Sequence, residues 1–138
     1  MSQETSSIYF DYLDLSKKHK QENGKNTILL LQVGAFFEVY GFKCPKTGEI
    51  QEGTYILDFC QICNLNMSDK KILYQEQPVV MAGFRDYSLD KYLQKITDQG
   101  FNAVVYVQEK KGSKVIRVFD GVYSSGTYIS YETDHLPQ

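Results

Sequence analysis

A phenylalanine and a glutamate stand two residues apart in the segment 29–41, which reads LLLQVGAFFEVYG. The aliphatic run predicts a buried strand, and successive strand side chains point to opposite faces. Phe36 and Glu38 should therefore share one face, while Phe37 points to the other. An exposed phenylalanine at a rigid strand tip can insert between base pairs and kink a duplex from its minor groove. A carboxylate beside it can accept a hydrogen bond from the displaced base while disfavouring intact duplex.

A simpler interpretation of this segment stays open at this point. One of the two phenylalanines would belong to the core, and Glu38 would be exposed on an edge strand without any ligand. Segment 29–41 alone does not decide between a wedge, meaning a phenylalanine that inserts between base pairs, and an ordinary strand.

Cysteine and histidine are the other residue types that could carry chemistry. Cys60 and Cys63 form a C-x-x-C pair, but a structural zinc site needs four ligands, usually from two such pairs. Their spacing puts both thiols on one face of a predicted helix, so we expect core packing, with a metal or redox site as the alternative. His19 and His135 lie in polar stretches and are expected to be exposed.

The sequence contains no recognisable catalytic constellation. No G-x-x-x-x-G-K-[ST] phosphate-binding loop occurs, and neither histidine has an obvious nucleophile or carboxylate partner in sequence. We therefore expect a chain that is not an enzyme by itself and has no metal or cofactor of its own.

Basic residues offer a different kind of site. Gly83 and Arg85 precede a predicted helix, and a helix N-terminus can bind a phosphate oxygen. Lysines cluster at three places in the sequence, and each cluster is either solvated surface or a phosphate contact. The clusters are Lys17, Lys18, Lys20 and Lys25; Lys70 and Lys71; and Lys110, Lys111 and Lys114, with Arg117 nearby.

Composition limits the possible classes of protein. The 138 residues predict one domain, and a net charge of −2 argues against a stand-alone polyanion binder, so nucleic-acid binding would depend on local patches. No stretch has the apolar length of a membrane span or a secretory signal. With three cysteines, this composition predicts an intracellular, reducing compartment and no membrane partner.

Helices and strands are predicted to alternate along the chain, which indicates an α/β (α+β) fold in which helices pack on a sheet. Ser6 or Ser7 should cap the first helix, which Gly24 ends. Two more helices are predicted at 55–65 and from Asp86 or Ser88 to Gly100, and residues 66–71 are predicted to form a loop. The predicted strands are residues 28–33, 36–40, 72–75, 79–82, 101–108 and 115–119, the last with a possible extension at 122–124.

Several motifs, in the same order, resemble the N-terminal mismatch-recognition domain (domain I) of MutS-type DNA mismatch repair proteins. That family carries G-x-F-[YF]-E-[LV]-[FY], then M-A-G with an aromatic or aliphatic residue, then a Y-L-x-K-[LI] helix core with a Q-G stop. A strand ending in Gln and an exit segment with P-G-T follow. The matching segments are residues 34–40, 81–84, 92–96, 99–100, 104–108 and 117–127, where Ser125 replaces the family's Pro.

The resemblance implies a mixed β-sheet flanked by about three α-helices. It also implies that Phe36 stacks on a mispaired base, that Glu38 hydrogen-bonds this base, and that Gly34 lets the backbone come close. Lys70 and Arg85 are the expected phosphate contacts.

By the same resemblance, residues 1–127 form the recognition domain and 128–138 begin a linker to a missing connector domain. ATP and Mg²⁺ would bind a C-terminal ATPase domain that is also absent from this sequence. The implied partners are mismatched double-stranded DNA and, through a longer parent protein, a second MutS-like subunit and a MutL-type protein. The alternative is a protein-interaction or structural module that no longer reads mismatches.

Overall fold

The computed structural model describes residues 8–125 and the backbone of residues 2 and 3. The helices are α1 (Ile8–Asn23), α2 (Ile56–Cys63) and α3 (Leu89–Asp98), and a 3₁₀ turn (Asp86–Ser88) precedes α3. The strands are β1 (Ser2–Gln3), β2 (Thr27–Val33), β3 (Phe36–Phe42), β4 (Ser68–Tyr74), β5 (Gln77–Arg85), β6 (Asn102–Lys111) and β7 (Lys114–Tyr123).

The described strands form one seven-stranded sheet in the order β1-β4-β5-β3-β2-β6-β7. The β2–β6 and β1–β4 pairs are parallel and the other pairs are antiparallel, so the sheet is mixed. This confirms the predicted class, an α/β (α+β) fold with a mixed sheet and three flanking helices.

One face of the sheet packs against α1 through a cluster of aromatic rings. Tyr9 and Tyr12 of α1 meet the ring of Tyr40 on β3 edge-on, with centroid distances of 5.0 and 5.1 Å. The buried Tyr12 hydroxyl donates to the Leu29 carbonyl oxygen at 2.8 Å, which links α1 to β2. Because side chains alternate along β3, Phe36, Glu38 and Tyr40 all lie on this α1 face.

The opposite face packs against α2 and α3. Phe84 on β5 stacks on Tyr92 of α3 at 4.3 Å and also contacts Phe59 of α2 and Phe37 of β3. A side chain at Gly41 would place its Cβ 2.5 Å from the Ile56 Cγ2 atom, so glycine at this position lets α2 approach the sheet closely.

Two predictions from the sequence are wrong. Residues 66–71 are not simply a loop, because β4 begins at Ser68 and continues through a bulge at which Lys71 has φ 58°. This part of β4 is polar because it is largely exposed, and polar strands of that kind resemble loops in sequence. The cap at Ser6 or Ser7 and the segment 128–138 lie outside the described residues.

His19 is the second error, since this residue is only 4% exposed. Its Nε2 atom lies 2.9 Å from the Tyr106 hydroxyl, and its ring stacks on Phe119. Burial lowers the pKa of His19, partly offset by the nearby Glu22 carboxylate, while Lys18 lowers it further. No helix among the described residues combines the length and apolar character that a membrane span requires.

The lowered pKa of His19 predicts a pH-dependent stability. The unfolded chain binds this proton near the ordinary histidine pKa of about 6.5 and the folded chain only at lower pH. The free energy of unfolding should therefore fall as the pH drops below about 6.5, at no more than about 1.4 kcal/mol per pH unit, and level off below the folded pKa. Urea unfolding from pH 7.5 to 5 of the wild type and of His19→Gln measures this. Identical slopes for both proteins would contradict the prediction, because carboxylate titration is common to both.

Candidate nucleic-acid interface

The candidate site begins at the hairpin turn between β2 and β3. Val33 pairs with Phe36, so Gly34 and Ala35 alone form the turn. Gly34 has φ 61°, and a positive φ at the first of two turn residues is the geometry of a type II′ hairpin, which glycine favours. Gly34 thus has a local conformational role at the tip of the strand pair, and its predicted proximity to a ligand stays a prediction.

Contacts from two neighbouring segments hold this turn in place. The Gly34 N–H donates to Gln108 Oε1 on β6 at 2.9 Å. The Asp86 N–H, at the start of the 3₁₀ turn, donates to the Ala35 carbonyl oxygen at 2.8 Å. Both turn residues therefore have a hydrogen-bond partner outside the hairpin, which restrains the position of Phe36 directly after them.

Arg117 on β7 completes this support. Its Nε atom donates to the Gln32 carbonyl oxygen at 2.7 Å, and the Gln32 side-chain oxygen accepts from the Gln108 N–H at 2.8 Å. The sequence pattern does not single out Gln32, and it places Arg117 in a basic cluster and at the start of the exit segment 117–127. The contacts that reveal both roles join residues 76 and 85 positions apart.

Phe36 and Phe37 occupy opposite faces, as the strand alternation predicts. The Phe36 side chain is 40% exposed, whereas Phe37 is 3% exposed and lies in the core against Phe84. The predicted assignment of Phe37 to the core and Phe36 to the outside is confirmed.

Arg85 lies beside Phe36 and directly before the 3₁₀ turn that leads into α3. It is the register partner of Phe36 on β5, and its guanidinium carbon sits 5.0 Å from the centre of the Phe36 ring. A cation over an aromatic face is attracted by the ring quadrupole. The 3₁₀ turn separates Arg85 from the first residue of α3, and the expected phosphate contact of Arg85 stays a prediction.

Glu38 shares a face with Phe36, but it is not exposed in the way that the sequence suggested. Its side chain is only 7% exposed, and Tyr40 Oη donates to Glu38 Oε1 at 2.6 Å. Burial, together with the hydrogen bond and charge of Glu38, raises the pKa of Tyr40 far above its ordinary value, so the tyrosine keeps its proton. Alternation alone places Tyr40 beside Glu38, a signal that our sequence reasoning overlooked.

The burial of Glu38 depends on a glycine in the adjacent strand. Gly83 is its register partner on β5, and a Cβ at Gly83 would lie 2.5 Å from the Phe37 carbonyl oxygen and 3.3 Å from Glu38 Cγ. Glycine at position 83 therefore leaves the space that the stem of Glu38 fills.

Phe36 and Glu38 line one small open cavity of about 180 Å³. Among the described residues, the one hydrogen-bond partner of the Glu38 carboxylate is the Tyr40 hydroxyl on Oε1, so Oε2 is left for a ligand in the cavity. The volume is below that of typical small-molecule and cofactor sites and suits insertion of a single planar group. The lining residues are Phe36, Glu38, Asn66, Ser68, Met81, Ala82 and Gly83.

Lys70 does not line this cavity, although the same strand contributes Ser68. It is partly buried and lies at the β4 bulge, where the Lys71 N–H donates to Asp69 Oδ1 at 2.7 Å. Its expected phosphate contact stays a prediction.

Cys60 and Cys63 pack in or against the hydrophobic core, as the helical spacing predicted. Cys63 is buried in the core and Cys60 packs against it, and burial raises the pKa of both thiols, that of Cys63 to about 12. Within the described part of the chain, no group of three or more His, Cys, Asp or Glu side chains is arranged to hold a metal ion.

Comparison with known proteins relates the chain to a MutS-like protein. No protein-family model matches the chain. Over 124 residues, 89% of its length, the chain is 27% identical to L359 of Acanthamoeba polyphaga mimivirus, a protein whose name assigns it as a DNA mismatch repair mutS homolog. The chain spans 11% of the length of that protein. It is therefore similar to a MutS-like protein over most of its own sequence.

Replacing the two phenylalanines separately should have very different effects on stability. Phe37→Ala removes a buried ring and should lower the free energy of unfolding by about 3–5 kcal/mol. Phe36→Ala removes an exposed ring together with its contact to Arg85 and should cost less than about 1 kcal/mol. Urea unfolding of the two variants measures this difference. Equal losses would mean that the strand faces are assigned wrongly.

Proposed function

We propose that this chain reads mispaired or unpaired bases in double-stranded DNA, as the recognition part of a MutS-like mismatch repair protein. The observation that carries the proposal is the exposed Phe36 ring at the tip of a restrained hairpin, beside a cavity that holds the Glu38 carboxylate. The similarity to a mutS homolog over 89% of the chain supports it.

Phe36 would act as a wedge that tests how easily the duplex opens. Smooth bending of a site of 20–30 base pairs costs of order 1–6 kcal/mol, and a mispaired step is easier to unstack than a paired one. A ring that fills the opened step makes bending favourable mainly where unstacking costs little. The hydrogen bonds of Gly34 and Ala35 would hold the Phe36 ring in place, so that the base step opens and the ring does not move aside.

Glu38 would supply discrimination and not general affinity. Its negative charge repels phosphates, but the free Oε2 atom can accept a hydrogen bond from an N–H group of a displaced base. Tyr40 already satisfies Oε1, so the buried carboxylate presents one remaining acceptor to the cavity. A base that stays paired offers no donor there, so the bound duplex would cover Oε2 without giving it a partner, which is costly.

Arg85 would change partners during binding. In the free protein its guanidinium lies over one face of the Phe36 ring, a face on which a base could stack. Base stacking would displace it, and the released cation would then lie beside the DNA backbone as a phosphate contact.

On this proposal the chain acts without catalysis and without a cofactor of its own. ATP and Mg²⁺ binding, contact with a second MutS-like subunit and contact with a MutL-type protein would belong to other parts of a longer protein. The alternative function, a protein-interaction module, would have been favoured by a buried Phe36. The 40% exposure of that side chain supports the wedge instead.

The proposal predicts that Phe36→Ala removes mismatch preference. Base–aromatic stacking contributes about 1–3 kcal/mol, so affinity for a mismatched duplex should fall by roughly 5- to 150-fold, down to that for the matched duplex at most. Matched-duplex affinity should hardly change. Fluorescence anisotropy at low salt, with duplexes that differ in a single base, measures both affinities. A preference equal to that of the wild type would refute the wedge and favour an interaction module.

A second prediction concerns the Tyr40 hydroxyl. Tyr40→Phe leaves Glu38 Oε1 without its donor, so the carboxylate is no longer held and the mismatch preference should fall. Tyr12→Phe is the matched control, because it also removes a buried hydroxyl from the same aromatic cluster, but one that donates to the Leu29 carbonyl oxygen and also contacts the Tyr40 backbone and Ser16, not the Glu38 carboxylate. It should lower stability by about 0.5–1.5 kcal/mol and keep the preference.

Binding and urea unfolding of both variants separate the two effects. A double variant that combines Tyr40→Phe with Glu38→Gln should lose less preference than the sum of the single changes, because the two residues act as a pair. If Tyr12→Phe reduces the preference as much as Tyr40→Phe does, the effect comes from general loosening and Tyr40 has no specific role.

A further inference from the structure

We infer that the free end of the β6–β7 hairpin is a second DNA contact, which binds backbone phosphates of the duplex next to the base that Phe36 reads. We call residues 107–118 the ribbon. It begins directly after Tyr106, the last β6 residue that pairs with β2, and it includes the turn at residues 112 and 113. The inference rests on the proposed function and adds a separate, sequence-independent surface to it.

The ribbon extends beyond the Phe36 hairpin in the same direction. Strands β2 and β6 are parallel, so their C-terminal ends lie at the same edge of the sheet. Gln108 is level with the turn, because its side chain accepts the Gly34 N–H. From there β6 continues three residues to Lys111, a reach of about 10 Å, and two strand spacings put it about 10 Å to the side of β3.

The tip of the ribbon is basic and unpaired. Lys110, Lys111 and Lys114 are exposed, with Glu109 as the single carboxylate of this segment. Among the described residues, none of the three ammonium groups takes part in an ion pair. In a chain of net charge −2, these lysines form a local positive patch at the edge where the wedge projects.

The base of the ribbon has a different character. Asp11 and Asp14 of α1 line a cavity of about 450 Å³ together with Val115, Ile116 and Arg117. These carboxylates would repel a phosphate, and the Arg117 guanidinium is already engaged with Gln32. Phosphate contact is therefore assigned to the tip lysines, which are compact point charges suited to the backbone and not to reading base edges.

Ribbon and wedge are connected by the same hydrogen bonds. Gln108 and Arg117 belong to the ribbon, and they bind Gly34 and Gln32 on the hairpin that carries Phe36. A duplex held by the tip lysines would consequently meet Phe36 in a fixed orientation. The two surfaces have separate tasks, since the ribbon contributes affinity for any duplex and the wedge contributes mismatch preference.

The test compares two triple variants of the 138-residue chain. The first changes Lys110, Lys111 and Lys114 to Gln, and the second changes Lys25, Lys46 and Lys95, which are exposed at the opposite end of the sheet. Lys25 precedes β2, Lys46 follows β3, and Lys95 lies in the last turn of α3, shortly before β6 begins. Both variants lose three charges from exposed positions, so they control for net charge and for folding.

Salt titrations of binding to matched and mismatched duplexes give the readout. The ribbon variant should weaken binding to both duplexes by the same factor and reduce the slope of log K against log salt by up to about 2.7, or about 0.9 for each phosphate that a lysine no longer neutralises. Lys111→Gln alone should reduce it by about 0.9. The control triple should keep the wild-type slope.

The other results separate a failure of the ribbon proposal from a failure of the proposed function. An unchanged slope in the ribbon variant means that its lysines are only solvated surface or face an acidic protein, and equal losses in both triples mean that only net charge matters. If Phe36→Ala keeps the mismatch preference while the ribbon variant has a smaller slope of log K against log salt, the role of Phe36 is refuted and the ribbon contact is supported. If Phe36→Ala removes the preference while the ribbon slope is unchanged, the ribbon alone fails.

Discussion

Strand β3 is packed on both faces, by α1 on one side and by α2 and α3 on the other, and the placement of the candidate site depends on this constraint. Phe37 lies in the core with Phe84, and Tyr40 lies under the rings of Tyr9 and Tyr12. A shift of one residue would reverse every side chain of the strand and bury Phe36 against α2 and α3. The exposed position of Phe36 is therefore fixed by packing that occurs elsewhere along the same strand.

A carboxylate next to this core requires specific support, since a buried charge is costly unless it is hydrogen-bonded. Glycine at position 83 provides the space for Glu38, and Tyr40 provides the donor. Ser68 of β4 and Met81 of β5 line the same cavity. With one oxygen satisfied and the other free, Glu38 is prepared to accept a single hydrogen bond without reorganising its surroundings.

The parts of this arrangement that follow from local periodicity could be predicted from the sequence. The split between Phe36 and Phe37, the helix that contains Leu93 and Ile96, and the mixed sheet class all follow from periods of two and 3.6 or from the family motifs. The burial of Glu38 could not be predicted, because it depends on Gly83, which is distant in sequence. His19 was misjudged for the same reason, since Tyr106 and Phe119 bury it. Strand β4 was missed where its exposed, bulged residues lack any alternation.

The Glu38 carboxylate limits where cations can lie in a site of this kind. A lysine or arginine close to this carboxylate would form an ion pair and occupy the acceptor that the proposed base contact needs. The Arg85 guanidinium lies over the Phe36 ring, and among the described residues it forms no ion pair with Glu38. Cations that bind phosphates must then lie at a distance from the cavity, yet be rigidly connected to it. In the proposed complex, a two-stranded ribbon joined to the Phe36 turn through Gln108 and Arg117 meets both requirements, and its tip carries three lysines that form no ion pair within the described part of the chain.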